Sequence, residues 1–169
     1  KMVFLVESFI LCILFSIFAT APVLKNPLSK IYDYPPQIIE RTKELGLITN
    51  QQTFHSNRIV AKKWVSAFLI AVILALILVY INKAATFWDG FFLSYGLWLV
   101  VDWFDAIILD CIWFCHSKRV IVPRTEDMTD EYHNYLFHIE ASLLGMLIGL
   151  PVCILVGGIV AIFAYIPFY

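Results

Sequence analysis

Four long runs of apolar residues dominate this sequence of 169 residues and restrict what it can fold into. A helix needs about 20 apolar residues to cross the hydrocarbon core of a bilayer, which is roughly 30 Å thick. Hydrophobic residues make up 61% of the chain and charged residues only 15%, whereas soluble domains are about half apolar and about a quarter charged. The sequence therefore predicts an all-α, polytopic integral membrane protein. We expect a single transmembrane domain over residues 1–169, a four-helix bundle with spans at about 2–24, 64–81, 87–114 and 139–168.

Basic residues are concentrated in two of the segments that join the predicted spans. Of the twelve Lys and Arg residues, seven lie in the loop 25–63 and three in the loop 115–138. Four spans place these two loops on the same side of the membrane, and basic loops remain on the cytoplasmic side. We therefore expect both loops in the cytoplasm and both termini on the other side of the membrane, most simply the plasma membrane. The expected partner of the apolar spans is the lipid bilayer. The net charge of −1 does not suggest a nucleic-acid partner, and we expect none.

A short amphipathic helix is predicted inside the first cytoplasmic loop. Pro35 and Pro36 precede about two helical turns that end at Gly46, a typical start and stop for a helix. This helix either lies along the inner membrane surface or packs against the bundle. The residues on its less polar side are Ile38, Ile39, Thr42 and Leu45.

Ionisable residues occur inside the third predicted span, where each costs about 2.5–3.5 kcal/mol on insertion scales. On a helix with 3.6 residues per turn, Asp102 and Asp105 share a stripe with Trp98 and His116, and Asp110 lies on its flank. We predict that the stripe faces the bundle interior. The two carboxylates then hold a proton or a cation, or they form hydrogen bonds that stabilise the bundle.

The junction between the third and fourth spans carries a second candidate site. Asp110 and His116 leave the membrane where Glu131 and His138 enter it. Two histidines with carboxylates can bind a divalent metal such as zinc, iron or manganese or relay protons, and they can equally act as caps and interfacial anchors. The helix that begins after Pro123 is expected to run on into the fourth span.

Two further features concern packing at the spans. Small residues at Ala141, Gly145 and Gly149 let another helix approach closely, either within one chain or in a homo-oligomer formed through the fourth span. Glu7, near the outer end of the first span, is expected to be solvated.

Three functions fit these patterns. The first is a transport or channel-type protein, or a transporter subunit, that uses the carboxylates Asp102 and Asp105. The second is a membrane-embedded enzyme, possibly metal-dependent, with its site at the cytoplasmic ends of spans three and four. The third is a non-catalytic membrane scaffold. No sequence motif for a nucleophile or a metal site decides among them.

Overall fold

The computed structural model describes residues 1–48 and 57–164 of the chain, and every regular element within them is helical. The all-α prediction is therefore confirmed for this part of the chain. The elements are α1 (Met2–Lys25), a 3-10 segment (Pro27–Asp33), α2 (Pro36–Glu44), α3 (Asn57–Tyr80), α4 (Phe87–Phe104), a π-helix (Asp105–Phe114), α5 (Thr129–Tyr132) and α6 (Tyr135–Phe163).

Two helical stretches in the described residues, Met2–Lys25 and Thr129–Phe163, are long and apolar enough to cross a membrane. They correspond to the first and fourth predicted spans. The second predicted span contains the shorter apolar helix Val65–Tyr80, and the third is divided between α4 and the π-helix. Residues 49–56 of the predicted first loop and residues 165–168 of the predicted fourth span lie outside the described residues.

The helix predicted to run from the second loop into the fourth span is interrupted. The helical backbone of α5 ends at Tyr132, and α6 begins at Tyr135. Asn134 Oδ1 accepts a hydrogen bond from Phe137 N at 3.1 Å. Asn134 thus satisfies one of the backbone N–H groups that a helix start leaves without a partner, which explains why a new helix begins there.

The chain divides into two compact units, each with its own core. The first comprises residues 1–11, 57–102 and 143–164 of the described chain. Small residues bring its helices close together: a Cβ added at Gly157 would lie 2.8 Å from the carbonyl oxygen of Phe87, and one at Gly90 would lie 2.8 Å from Val160 Cβ. The buried apolar residues of this unit are Ala71, Ala75, Leu78, Ala84, Leu97, Val156 and Val160.

The second unit comprises the described residues 12–48 and 103–142. Its core joins the two loops predicted to be cytoplasmic. Tyr34 Oη donates a hydrogen bond to the carbonyl oxygen of Val120 at 2.9 Å, and Tyr132 Oη accepts one from Val122 N at 2.9 Å. Burial raises the pKa of both tyrosine hydroxyls, so both remain protonated at neutral pH.

The predicted helix of the first loop is present as α2, Pro36–Glu44, and its less polar side packs inside the second unit. Ile38 and Thr42 are fully buried, and Ile38 belongs to the same core as Tyr34 and Val120. The sequence left open whether this helix lies along the membrane surface or packs against protein. Ile38 and Thr42 pack against protein.

Candidate functional site

Asp105 and Asp110 belong to the π-helix that continues from α4. In a π-helix each backbone N–H binds the carbonyl five residues earlier, as Cys115 N does with Asp110 O at 2.9 Å. On an α-helix, two side chains five residues apart point about 140° away from each other. The wider π turn reduces this angle, and both carboxylates line one cavity.

The π-helix also corrects the predicted polar stripe. The stripe assumed α-helical geometry as far as His116 and left Asp110 on its flank. The structure instead places Asp110 on the cavity wall, while His116 is exposed just beyond the end of the π-helix. The sequence around Asp105 contains no proline or glycine that would indicate a change from α-helix to π-helix.

The cavity lies within the second unit and has a volume of about 360 Å³. Residues of α1, the 3-10 segment, the π-helix and α6 contribute to its wall, so that apolar and polar side chains meet there. The apolar and aromatic residues are Phe15, Ala19, Val23, Tyr32, Tyr34, Leu109, Trp113, Phe114, Phe137 and Ala141, and the polar ones are Thr20, Lys30, Asp33, Asp105, Asp110 and His138.

Asp110 and His138 form a pair on this wall, with His138 Nδ1 3.1 Å from Asp110 Oδ2. The His138 side chain is only 3% exposed, and its Nε2 is buried with no hydrogen-bond partner among the described residues. A proton on Nε2 would be a buried donor without an acceptor, which is costly. Because a carboxylate accepts hydrogen bonds, the geometry assigns the donor to Nδ1, whose N–H donates to Asp110 Oδ2. Phe114 and Phe137 stand edge-on to the imidazole.

The other two predicted metal ligands, His116 and Glu131, do not join the Asp110–His138 pair in a metal site. The Nε2 atom of His116 lies 2.9 Å from Tyr135 Oη, and its ring centroid lies 5.2 Å from that of His133. Glu131 is partly exposed in α5. Across residues 1–48 and 57–164 no group of three or more His, Cys, Asp or Glu side chains is placed to hold a metal ion. Metal binding by Asp110, His116, Glu131 and His138 therefore stays a prediction without an assembled site.

Cys115 follows the π-helix directly, beside this region. Burial, with smaller effects of Cys111 and Asp110, raises the pKa of the Cys115 thiol to about 12. The sulfur is therefore a protonated thiol at neutral pH. Among the described residues, Cys115 also belongs to no group of three or more His, Cys, Asp or Glu side chains that could hold a metal ion.

Asp102 lies in the first unit, where it packs against α6. A Cβ added at Gly145 would overlap Asp102 Oδ1, and one at Gly149 would overlap the Trp98 indole. Trp98 Nε1 also donates a hydrogen bond to the carbonyl oxygen of Gly145 at 3.1 Å. The predicted small-residue face thus receives α4 side chains of the same chain at both glycines. Its third member, Ala141, lines the cavity of the second unit.

Glu7 has a partner that the sequence did not suggest. Asn82 Nδ2 donates a hydrogen bond to Glu7 Oε2 at 2.9 Å. The remaining oxygens, Glu7 Oε1 and Asn82 Oδ1, are buried and have no hydrogen-bond partner among the described residues. The expectation of a solvated Glu7 is therefore wrong for one of its carboxylate oxygens. The only available signal was that Asn82 is a polar residue in the short link between two apolar runs.

Lys30 and Asp33 are the charged residues of the cavity wall that the sequence did not indicate as candidates. Lys30 Nζ lies 3.8 Å from Asp33 Oδ2 and 5.2 Å from the centroid of the Phe18 ring. Their spacing of three residues is common for surface ion pairs on helices, and it gave no reason to connect them with residues 105–138.

Comparison of the chain with protein-family models, with curated proteins and with solved structures finds no match.

Proposed function

We propose that this chain is a four-span integral membrane protein of the transport type, and that the cavity of its second unit binds a cation. One observation carries the proposal: Asp33, Asp105 and Asp110 line the same cavity, and Lys30 is the only Lys or Arg among the described residues that line it. The sequence predicted Asp102 and Asp105 as the cation-binding pair. We propose Asp105 and Asp110 instead, because these two line the cavity.

The surface of the long helices supports a lipid environment. Phe9 and Phe18 on α1, Ile70 on α3, and Leu147 and Ile162 on α6 are all exposed. Large contiguous apolar surfaces are rare on soluble proteins and mark contact with a membrane or another protein. Together with the basic loops, these faces favour crossings by α1, α3, α4 with the π-helix, and α6.

The carboxylates supply the attraction for a cation. Two opposite charges 4 Å apart attract by about 1 kcal/mol in water and by about 4 kcal/mol at an effective dielectric constant of about 20, which is typical near a protein surface. Because apolar and aromatic side chains form much of the wall, the attraction inside the cavity exceeds that of an exposed carboxylate. His138 Nδ1–H holds the Asp110 carboxylate in place.

The Asp110–His138 pair also favours a second candidate, an acid–base enzyme. A carboxylate that binds one imidazole nitrogen fixes the tautomer of the ring and leaves the other nitrogen as a base. Here that nitrogen, Nε2, is buried, so substrate would have to displace a side chain to reach it. Cation binding needs no such displacement, and we therefore place it first.

Cation flux into proteoliposomes tests the proposal. We expect uptake of protons, Na⁺ or an organic ammonium ion above that of empty liposomes, and a loss of about tenfold or more in Asp105→Asn and Asp110→Asn, because neutralising a carboxylate removes at least about 1.4 kcal/mol of attraction. Asp127→Asn, at an exposed position outside the cavity wall, is the matched control. Flux at the wild-type level in the Asp105→Asn, Asp110→Asn double variant would exclude the carboxylate site.

A further inference from the structure

We infer that the ligand of the cavity is a protonated amine carried on an apolar or aromatic body. The inference rests on the proposed cation site and specifies which class of cation it takes. Three properties of the cavity lead to it: its size, the composition of its wall and the balance of charge along that wall.

The size of the cavity exceeds what an inorganic ion needs. Its volume is about 360 Å³, whereas a water molecule occupies about 30 Å³ in the liquid. Pockets that bind organic ligands begin at about 300 Å³. An inorganic ion alone would leave most of the apolar wall in contact with water, and an organic cation would cover it.

The wall of the cavity is suited to an organic cation. Tyr34, Trp113 and Phe114 line it together with Asp105 and Asp110. Aromatic faces attract ammonium groups through the ring quadrupole, and the apolar body of a ligand gains by leaving water. A divalent metal would instead need several oxygen or nitrogen ligands converging on one point. No such group of side chains is found in the part of the chain that the structure describes.

The charges of the wall exclude an anion and disfavour an uncharged ligand. Lys30, the one ammonium group on the wall, is already 3.8 Å from Asp33. Asp105 and Asp110 add two further carboxylates. An N–H donor with a positive charge is the group that complements these carboxylates.

Three probes with one apolar body separate the alternatives: 4-phenylbutylammonium, 4-phenylbutanol and 5-phenylpentanoate. Their binding to the purified full-length protein is measured by titration calorimetry in nonionic detergent, with protein-free micelles as the blank. We expect the ammonium probe to bind at least about tenfold more tightly than the alcohol, since one carboxylate contact at intermediate dielectric exceeds the 1.4 kcal/mol that a factor of ten represents. No binding of the carboxylate probe is expected.

Variants locate the contact. Asp110→Asn and Asp105→Asn should each lower the affinity for the ammonium probe and leave that for the alcohol unchanged, while Asp127→Asn should change neither. Equal binding of ammonium and alcohol by the wild type, or an ammonium affinity that neither cavity variant lowers, would overturn the inference. Thermal unfolding of each variant is compared with that of the wild type, so that a loss of binding can be distinguished from a loss of folding.

The same measurements distinguish this inference from the proposed function. Carboxylate-dependent flux of Na⁺ or protons without binding of the ammonium probe would retain the transport proposal and reject the organic amine. Charge-selective binding of the ammonium probe without any flux would retain the ligand class and reject transport.

Discussion

Asp110 makes two contacts that hold it in the cavity wall. Its side chain lies 3.1 Å from His138 Nδ1, its carbonyl oxygen accepts the π-helical hydrogen bond from Cys115, and it lines the cavity wall. The sequence indicated both Asp110 and His138 as candidates because histidines and carboxylates at the ends of two adjoining spans can bind a metal ion or relay protons. It also named His116 and Glu131 on the same grounds, and only the three-dimensional structure separates the two groups.

Replacing His138 tests whether the pair stabilises the second unit. His138→Phe keeps the aromatic bulk but removes the Nδ1–H donor, and we expect it to lower the free energy of unfolding by about 1.5–3 kcal/mol, the range for hydrogen bonds to charged groups. His138→Asn, whose side-chain amide places a donor near the position of Nδ1, should lose less. Denaturant unfolding in detergent measures both, and a His138→Phe variant as stable as the wild type would refute the pairing.

Replacing Glu7 is expected to raise stability, whereas replacing His138 is expected to lower it. Glu7→Gln keeps an oxygen as acceptor for Asn82 Nδ2 and replaces Oε1, which has no partner among the described residues, with an NH₂ group that can donate to Asn82 Oδ1. We expect a gain of about 1 kcal/mol in the free energy of unfolding, the usual net value of one hydrogen bond. Glu140→Gln, at an exposed position, should change stability little. A Glu7→Gln variant less stable than the wild type, measured by the same unfolding assay, would contradict the geometry.

At the level of elements, the helices that the sequence predicts best are the ones marked by long apolar runs or by strong end signals. α1 ends within a residue of the predicted span, and α2 lies between the proline and glycine signals. The π-helix and the break at His133 and Asn134 were not predictable in this way. A π turn has no local sequence signature. Asn134 can cap a helix, but no proline or glycine beside it marks the end of a preceding helix.

Adjacent glycines on α6 test how closely α4 and α6 pack. A Cβ at Gly157 would lie 2.8 Å from a backbone oxygen of Phe87, whereas one at Gly158 meets nothing within 4 Å. We expect Gly157→Ala to cost about 1–3 kcal/mol, because the backbone must shift. Gly158→Ala should gain up to about 1 kcal/mol from the better helix propensity of alanine. Thermal unfolding compares the pair, and equal effects would contradict the close approach.

The hydrogen bond between Tyr34 and Val120 tests the core that joins the two loops. Tyr34→Phe leaves the buried Val120 carbonyl without this donor, and we expect a loss of about 1–2 kcal/mol in unfolding free energy. Tyr135→Phe, whose hydroxyl meets His116 at an exposed position, should lose less. The two variants are compared by denaturant unfolding. Stability unchanged in Tyr34→Phe would show that the loops do not depend on this contact.

At the scale of the whole molecule, the function proposed here requires that the chain cross a membrane four times. Composition and the basic loops predict this arrangement, and the structure contributes two helical stretches of sufficient length and apolar character, Met2–Lys25 and Thr129–Phe163. The sequence could predict the two long apolar helices because apolar composition over about 20 residues is a property of each segment alone. The cavity depends on contacts between distant segments, and no single segment predicts it.

Labelling of single cysteines with a membrane-impermeant maleimide tests the four crossings most directly. In a background with the native cysteines replaced, Ser29→Cys, Ala85→Cys and Lys118→Cys place the thiol at exposed positions in three successive connecting segments. In sealed inside-out vesicles we expect labelling at positions 29 and 118 and protection at position 85, and in right-side-out vesicles the reverse. Labelling of all three positions from the same side would contradict the four-span arrangement and the transport function built on it.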